Sequence, residues 1–89
     1  ILMCGTGMGV CLAANKVPGA YATLVSDAYS AERSTKSNNA NIMCTGSQVM
    51  GQKLAQSLVE IWLKHEFTQG TRSQPKVDRI YEYEKEHIR

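Results

Sequence analysis

Short apolar runs alternate with longer amphipathic stretches along this chain. The apolar runs predict three strands, at residues 1–4, 21–25 and 41–44. The amphipathic stretches predict four helices, at residues 8–16, 28–36, 48–65 and from 75 to the end. Because such alternation is typical of parallel strands joined by helices, the predicted fold class is α/β. The loops that follow the strands then share one edge of the sheet, where ligands bind in such folds.

Helix signals support these boundaries. Val17-Pro18-Gly19 predicts the end of the first helix, and the oxygens of Ser26-Asp27 predict a cap for the second. Pro75 suits the first turn of the last helix. The third helix carries an apolar stripe that we expect in the core or at a subunit interface, made of Met50, Leu54, Leu58, Ile61 and Trp62. The last helix carries a second stripe of Val77, Ile80, Tyr81 and Ile88.

Residues 4–9 combine a thiol with three glycines, in the order Cys4-Gly5-Thr6-Gly7-Met8-Gly9, between the first strand and the first helix. Glycines there let the backbone turn tightly and approach a ligand, and amides at a helix start favour an anion. The pattern therefore indicates a phosphate or oxyanion site beside a nucleophile or base. A second interpretation is that the glycines only let the helix pack closely on the strand.

A dinucleotide fingerprint is a third interpretation of the same glycines. That fingerprint needs glycine at its first, third and sixth positions, and the sixth position counted from Gly5 is Val10. Asp27 lies at about the distance expected of a ribose-binding acid, although it is most simply a helix cap. The failed sixth position makes this the least favoured interpretation.

Composition restricts the possible functions. The 89 residues are 43 % hydrophobic and 20 % charged, as in one small soluble domain. A net charge of +2 is too small to indicate a nucleic-acid or membrane partner, and no apolar run is long enough for a bilayer, so we expect a cytoplasmic location. Three cysteines without a CxxC pair predict reduced thiols rather than disulfides or structural zinc. Since the chain starts with Ile1 inside an apolar run, we interpret it as a fragment.

The glycine motif, read together with residues 13–19, resembles the ribose-5-phosphate isomerase B and galactose-6-phosphate isomerase family. The likeness continues through segments 27–33, 38–41, 46–51 and 72–77, and it covers essentially all 89 residues. It implies a three-layer α/β/α Rossmann-like parallel sheet of five strands. Residues 1–89 would be the C-terminal part of one domain, with the last three strands. The two absent βα units would carry the family's Asp-His pair.

The resemblance assigns the reaction to the glycine motif. Cys4 matches the cysteine that moves a proton between C1 and C2 of an open-chain sugar phosphate through an enediolate. A thiolate near neutral pH suits this work, because a free thiol has a pKa of about 8.5 and a helix start lowers it. The Thr6 hydroxyl matches a further donor. The backbone of Gly5, Gly7, Met8 and Gly9 matches the loop around the sugar's reactive end.

The resemblance also implies binding residues and partners. Asn38 matches a substrate-binding asparagine, and Arg72 and Lys76 match two basic residues, usually both arginine, that hold the phosphate. No metal or organic cofactor is implied. Residues from a partner subunit close the cleft in the family, so we expect a homodimer or a hetero-oligomer with a paralogous subunit.

Two of this chain's differences from the family pattern leave a second function open. Ser37 stands where ribose-phosphate members carry a histidine credited with ring opening, and Gln48 stands where many have arginine. One subunit type of galactose-6-phosphate isomerase similarly keeps the cysteine and loses the histidine. We therefore expect an aldose-ketose isomerase when the protein is complete, an inactive fragment, or alternatively a half-site subunit of a mixed oligomer.

Purely structural interpretations remain for several of these residues. Cys4 also fits a buried small hydrophobe, as do Cys11 and Cys44. Arg72 and Lys76, four residues apart, also fit a solvated basic face. We further expect the first strand to be an unpaired apolar edge that recruits other chains.

Overall fold

Three parallel strands form the centre of the fold. The computed structural model describes residues 1–87. The strands β1 (Leu2–Cys4), β2 (Ala22–Leu24) and β3 (Ile42–Gly46) lie in the order β1-β3-β2. Both pairings are parallel, and Cys4 of β1 lies opposite Gly46 of β3. The α/β fold class is therefore confirmed.

Helices cover both faces of the sheet. They are α1 (Met8–Ala14), α2 (Ala28–Lys36), α3 (Gln52–Lys64) and α4 (Gln74–His87). None of the helices in residues 1–87 is long and apolar enough to cross a membrane.

Successive residues of β3 face opposite cores, as the pleat of a strand requires. Cys44 belongs to the core under α1, which is built of small residues. Met43 belongs to a second core, together with Leu58 of α3. This second core is also contacted by Val59, Ile61 and Trp62 of α3 and by Met50, which precedes that helix.

Helix α4 is joined to the start of β2 by polar contacts. The Tyr21 hydroxyl donates to Glu84, the Gly19 amide donates to the same carboxylate at 2.7 Å, and Asn39 donates to the Tyr81 hydroxyl at 2.8 Å. A cavity of about 340 Å³ lies between α4 and this part of the sheet. These contacts hold α4 at the edge where β2 and β3 begin.

Two predicted boundaries are wrong. The first helix ends at Ala14, not residue 16, because the next residues form tighter turns in which the Lys16 amide donates to Ala13. The third helix begins at Gln52, not residue 48, because residues 47–50 form a turn. In that turn the Gln48 amide donates to the Gly5 carbonyl.

Two apolar residues of the predicted helix stripes lie outside the core of this chain. Leu54 of α3 is 47 % exposed, whereas Leu58 is buried. Ile80 of α4 is 48 % exposed, whereas Val77 is buried. Ile88 lies outside the described residues.

The first strand is an edge strand, as predicted. Within the sheet β1 pairs only with β3, and its other side is open. Ile1 and Met3 are 60 % and 52 % exposed, and a groove of about 840 Å³ runs from Met3 to the start of α3.

Candidate active site

The Cys4 sulfur lies against the glycine loop. The Gly7 amide donates to Cys4 Sγ at 3.2 Å, and the thiol is half-buried at the end of β1. The prediction that the sulfur lies beside main-chain donors is confirmed, and the bland interpretation of Cys4 as a fully buried hydrophobe is wrong.

Backbone amides favour the charged form of this sulfur. Hydrogen bonds from the Val10 amide first, and then from Gly7, Thr6 and Gly9, lower the pKa of the Cys4 thiol, and they outweigh burial, which raises it. Several amides around a sulfur stabilise a thiolate more than a thiol. Cys4 can therefore act as a base at a pH where an ordinary cysteine is protonated.

Two glycines make this geometry possible. Gly7 has a φ of +84°, and a Cβ on it would lie 2.8 Å from the Thr45 carbonyl carbon. A Cβ on Gly46 would lie 2.6 Å from the carbonyl carbon of Thr6. Only glycine fits at either place, so the loop after β1 and the loop after β3 touch through bare backbone.

The loop after β3 is also hydrogen-bonded to the thiol loop. The Ser47 amide donates to the Cys4 carbonyl and the Gln48 amide to the Gly5 carbonyl, both at 2.9 Å. The Gln48 side chain lies over Gly5, where Oε1 would be 3.3 Å from an added Cβ. The predicted meeting of these two loops at one edge of the sheet is confirmed.

Thr6 and Asp27, also at this edge, form hydrogen bonds within their own segments. The Thr6 hydroxyl is exposed and accepts from the Met8 amide at 3.3 Å, so its own proton remains available to another acceptor. Asp27 caps α2, accepting from the Ser30 amide at 2.7 Å and from the Ser30 hydroxyl at 3.0 Å. The cap interpretation of Asp27 is confirmed, and this use of both oxygens argues against a ribose-binding role.

Asn38 and Ser37 lie far from the thiol. Both follow α2, near the beginning of β3, whereas Cys4 lies opposite the end of β3. The five steps of chain from Asn41 to Gly46, at about 3.3 Å each, put roughly 16 Å between the two edges. Asn38 is exposed, donates to the Arg33 carbonyl at 3.0 Å, and lines the cavity beside α4. One copy of the chain therefore does not bring Asn38 to Cys4.

The two predicted phosphate ligands are exposed at the start of α4. Arg72 precedes the helix and Lys76 lies in its first turn. Within residues 1–87, no hydrogen bond or ion pair joins either side chain to the thiol loop. Nor does any cluster of three or more His, Cys, Asp or Glu side chains in this range fit a metal ion.

Comparison with known protein families identifies the family to which this chain belongs. Residues 1–80 match the family model of ribose/galactose isomerases. The chain belongs to this family.

Three relatives illustrate the similarity within the ribose/galactose isomerase family. The chain is 47 % identical over 89 residues to D-erythrulose-4-phosphate isomerase of Pectobacterium atrosepticum and 48 % identical over 87 residues to ribose-5-P isomerase B of Listeria innocua. Each alignment covers 98 % of this chain and 58 % of the relative. The solved ribose-5-phosphate isomerase B of Clostridium thermocellum is 45 % identical with a TM-score of 0.89, over 97 % of this chain and 58 % of that one.

The chain thus spans less than two thirds of the length of these family members. The relatives named here are sugar-phosphate isomerases. The shared fold is the Rossmann-like sheet that the resemblance implied.

Sequence reasoning missed three contacts that hold the helices and strands together. The Asn15 amide pairs with both the N–H and the carbonyl of Ala22, at 2.8 and 2.9 Å. Tyr21 meets Glu84 across 63 positions, and Cys11 packs against Cys44. Each pair joins segments that are distant in sequence or on different elements, so local periodicity carries no signal for it.

Proposed function

We propose that the complete protein interconverts an aldose phosphate and its ketose through a cis-enediolate, with Cys4 as the general base. The observation that carries this proposal is the Cys4 sulfur in hydrogen-bond contact with the Gly7 amide, at the ligand-binding edge of the sheet. In this proposal residues 1–89 form the C-terminal part of one isomerase domain, and the fragment alone is inactive.

The reaction requires one proton to move between neighbouring carbons. The Cys4 thiolate takes the proton from C2 of the aldose and returns it to C1 of the ketose, while negative charge develops on the adjacent oxygen. Because the Gly7 amide is already engaged by the sulfur, the exposed Thr6 hydroxyl, whose own proton is available, is the donor for this oxygen. Positioned acid-base groups of this kind contribute about 10²- to 10⁴-fold in rate.

Substrate binding in this proposal requires two copies of the chain or a paralogous partner. Asn38 lies at the opposite edge of the sheet from Cys4, so it serves the site of a neighbouring subunit. Arg72 and Lys76 hold the phosphate, Arg72 through its planar fork and Lys76 as a point charge. An isologous dimer uses each surface twice, and would therefore build two equivalent sites.

Mixing two inactive variants tests the shared site. In a homodimer, a Cys4→Ala subunit paired with an Asn38→Ala subunit contains one intact site and one doubly altered site. Since half of randomly assembled dimers are such hybrids, mixing should restore about a quarter of wild-type sites. No recovery after subunit exchange, demonstrated by mixed-mass dimers, would refute the shared site.

Ser37 favours a substrate that needs no ring opening. Its hydroxyl does not exchange a proton near pH 7 as an imidazole does. A tetrose 4-phosphate has its O4 esterified and so forms no furanose, and the relative from Pectobacterium atrosepticum is named for such a sugar. We therefore place a four-carbon sugar phosphate first among substrates, ahead of pentose 5-phosphates and hexose 6-phosphates.

A half-site subunit of a galactose-6-phosphate-type oligomer is the second candidate. Ser37 and Gln48 favour it, since both remove a titratable or charged group from the family pattern. Assaying the full-length protein alone and with a paralogous subunit separates the candidates. Full activity alone contradicts the half-site function.

The direct experiment follows isomerisation of erythrulose 4-phosphate, ribose 5-phosphate and galactose 6-phosphate by the full-length protein and its Cys4→Ala and Cys4→Ser variants. We expect loss of turnover in both variants at saturating substrate. Exchange of the C1 or C2 proton with deuterated water gives a second readout. Retained turnover in Cys4→Ala would remove the assigned base.

A further inference from the structure

The cavity beside α4 is not used by the thiol loop of the same chain. Its volume is about 340 Å³, and it lies between α4 and the beginnings of β2 and β3. Small-molecule sites in proteins have volumes of roughly 300–1,000 Å³. Cys4 lies at the opposite edge of the sheet and does not line this cavity. The cavity is therefore large enough for a ligand of its own.

Two tyrosine rings form one corner of this cavity. Tyr21 and Tyr81 both line it, with ring centroids 5.1 Å apart and ring planes tilted by 55°. Both residues are half-buried, so part of each ring remains accessible. The Tyr21 hydroxyl donates to Glu84, and the Tyr81 hydroxyl accepts from Asn39 at 2.8 Å. Because these hydrogen bonds hold both rings in place, a ligand that packs on the rings does not have to order them.

A negative charge lies next to the two rings. The Glu84 carboxylate accepts from the Tyr21 hydroxyl and, at 2.7 Å, from the Gly19 amide. These two hydrogen bonds, the one from Tyr21 first, lower the pKa of Glu84 and outweigh burial, so the carboxylate is charged at neutral pH. Both donors are neutral groups and leave this charge uncompensated. Among the residues of 1–87 that line the cavity, Glu84 alone carries a charge at neutral pH.

The remaining walls are mostly apolar. They include the side chains of Ala20, Ala40, Val77 and Ile80. A carboxylate beside aromatic rings attracts a cation, and the face of an aromatic ring carries partial negative charge. Apolar walls offer no replacement for the water around a strongly hydrated cation, whereas methyl groups on nitrogen pack well against them. An anionic sugar phosphate is repelled by Glu84.

We propose that this cavity binds a small quaternary ammonium compound, with its methylated nitrogen against the rings of Tyr21 and Tyr81 and beside the Glu84 carboxylate. Aromatic rings recognise methylated ammonium groups in the same way in other proteins. Binding here does not depend on isomerase activity. Asn38 also lines the cavity, so an effect of the cation on turnover, unlike binding itself, rests on the proposed function.

A ligand series tests the charge and the methyl groups separately in the unaltered full-length protein. The probes are choline, the neutral isostere of choline in which carbon replaces nitrogen, and n-butylammonium. In an NMR titration, choline should shift the ring resonances of Tyr21 and Tyr81 until they saturate. Both other probes should bind about tenfold more weakly, because the isostere lacks the charge and the primary ammonium keeps its water.

Three variants test the residues. Tyr81→Phe and Tyr81→Leu both lose the hydrogen bond from Asn39, but only Tyr81→Leu loses the ring. We expect Tyr81→Leu to weaken choline binding about tenfold and Tyr81→Phe by less than about threefold. Glu84→Gln keeps an acceptor for the Gly19 amide and removes the charge, and it should also weaken binding about tenfold. Urea unfolding identifies any variant that fails to fold, and the ligand series in wild type remains decisive in that case.

Several outcomes would overturn the proposal. Equal affinity for choline and its neutral isostere would show that the cavity is only an apolar site. Tighter binding of n-butylammonium would indicate a lysine side chain as the occupant. Unchanged choline affinity in Glu84→Gln or in a folded Tyr81→Leu would place the cation elsewhere. Because binding is measured without sugar phosphate, a wrong substrate assignment leaves these results unchanged.

Discussion

Adding one methyl group at two glycines of the same motif should have opposite effects on stability. At Gly7 the φ of +84° disfavours any side chain, and an added Cβ would lie 2.7 Å from Leu24 Cδ1 and 2.8 Å from the Thr45 carbonyl carbon. At Gly9, inside α1, an added Cβ has nothing within 4 Å. Gly7→Ala and Gly9→Ala are therefore a matched pair.

The expected magnitudes follow from the two environments. A left-handed non-glycine residue costs about 1–2 kcal/mol, and overpacking against the Thr45 backbone costs about 1–3 kcal/mol more. Gly7→Ala should therefore lower the free energy of unfolding by about 2–5 kcal/mol. Gly9→Ala should raise it by about 0.5–1 kcal/mol, because alanine restricts the unfolded chain and favours the helix.

Urea unfolding of both variants measures these differences in the free energy of unfolding. The pH dependence of the Cys4 alkylation rate shows whether the Gly7 amide still contacts the sulfur. A domain of this size changes its melting temperature by about 4–8 °C per kcal/mol, so opposite shifts are easily resolved. In Gly7→Ala the alkylation midpoint should also rise toward that of an ordinary thiol, because the Gly7 amide moves from the sulfur. Wild-type stability in Gly7→Ala, or equal losses in both variants, would refute the reasoning.

Three further expectations concern protonation and substrate choice. Since amides lower the pKa of Cys4, the alkylation rate of Cys4 should be half-maximal at a lower pH than the alkylation rate of a cysteine in an unstructured peptide. Turnover should fall as the pH drops through that midpoint. The hydrogen bond to Glu84 raises the pKa of Tyr21 from 10.0 to about 12. The contribution of this hydrogen bond to stability is therefore complete below pH 10.0 and is lost as the pH rises through about 12. Tyr21→Phe should remove that part of the pH dependence of urea unfolding. Under the proposed function, Ser37→His should raise turnover of ribose 5-phosphate, which must open its ring, and leave turnover of erythrulose 4-phosphate unchanged. Equal gains on both sugars in a stopped assay would contradict the ring-opening argument.

Local signals in the sequence were sufficient for the sheet and for the thiol loop. The apolar runs and the Cys4-to-Gly9 motif predicted a strand, a glycine turn and a helix, and the structure contains them in that order. The boundaries near residues 16 and 48 were wrong because they depend on hydrogen bonds between segments, such as Gln48 to Gly5. No periodicity within one helix reports a contact made with another loop.

The separation of Asn38 from Cys4 also had no local signal. Asn38 and Cys4 both match functional residues of the family pattern, yet only the pairing of Cys4 with Gly46 shows that they lie at opposite ends of β3. Strand direction, strand order and register decide that separation. Each of these depends on contacts between segments far apart in the chain.

The lowered pKa of Cys4 follows from close contacts between backbone segments at glycine positions. The Gly7 amide reaches the sulfur because Gly7 adopts a left-handed conformation against the Thr45 backbone, and Gly46 lets the next loop touch Thr6. Under α1 the core is made of small residues such as Ala14, which allow a helix to lie close to a sheet. A side chain at Gly7 or Gly46 would collide with neighbouring backbone and shift the loop whose amide reaches the sulfur. The lowered pKa of Cys4 therefore depends on the absence of Cβ atoms at Gly7 and Gly46, and Gly7→Ala, which leaves Cys4 untouched, should raise that pKa toward that of an ordinary thiol.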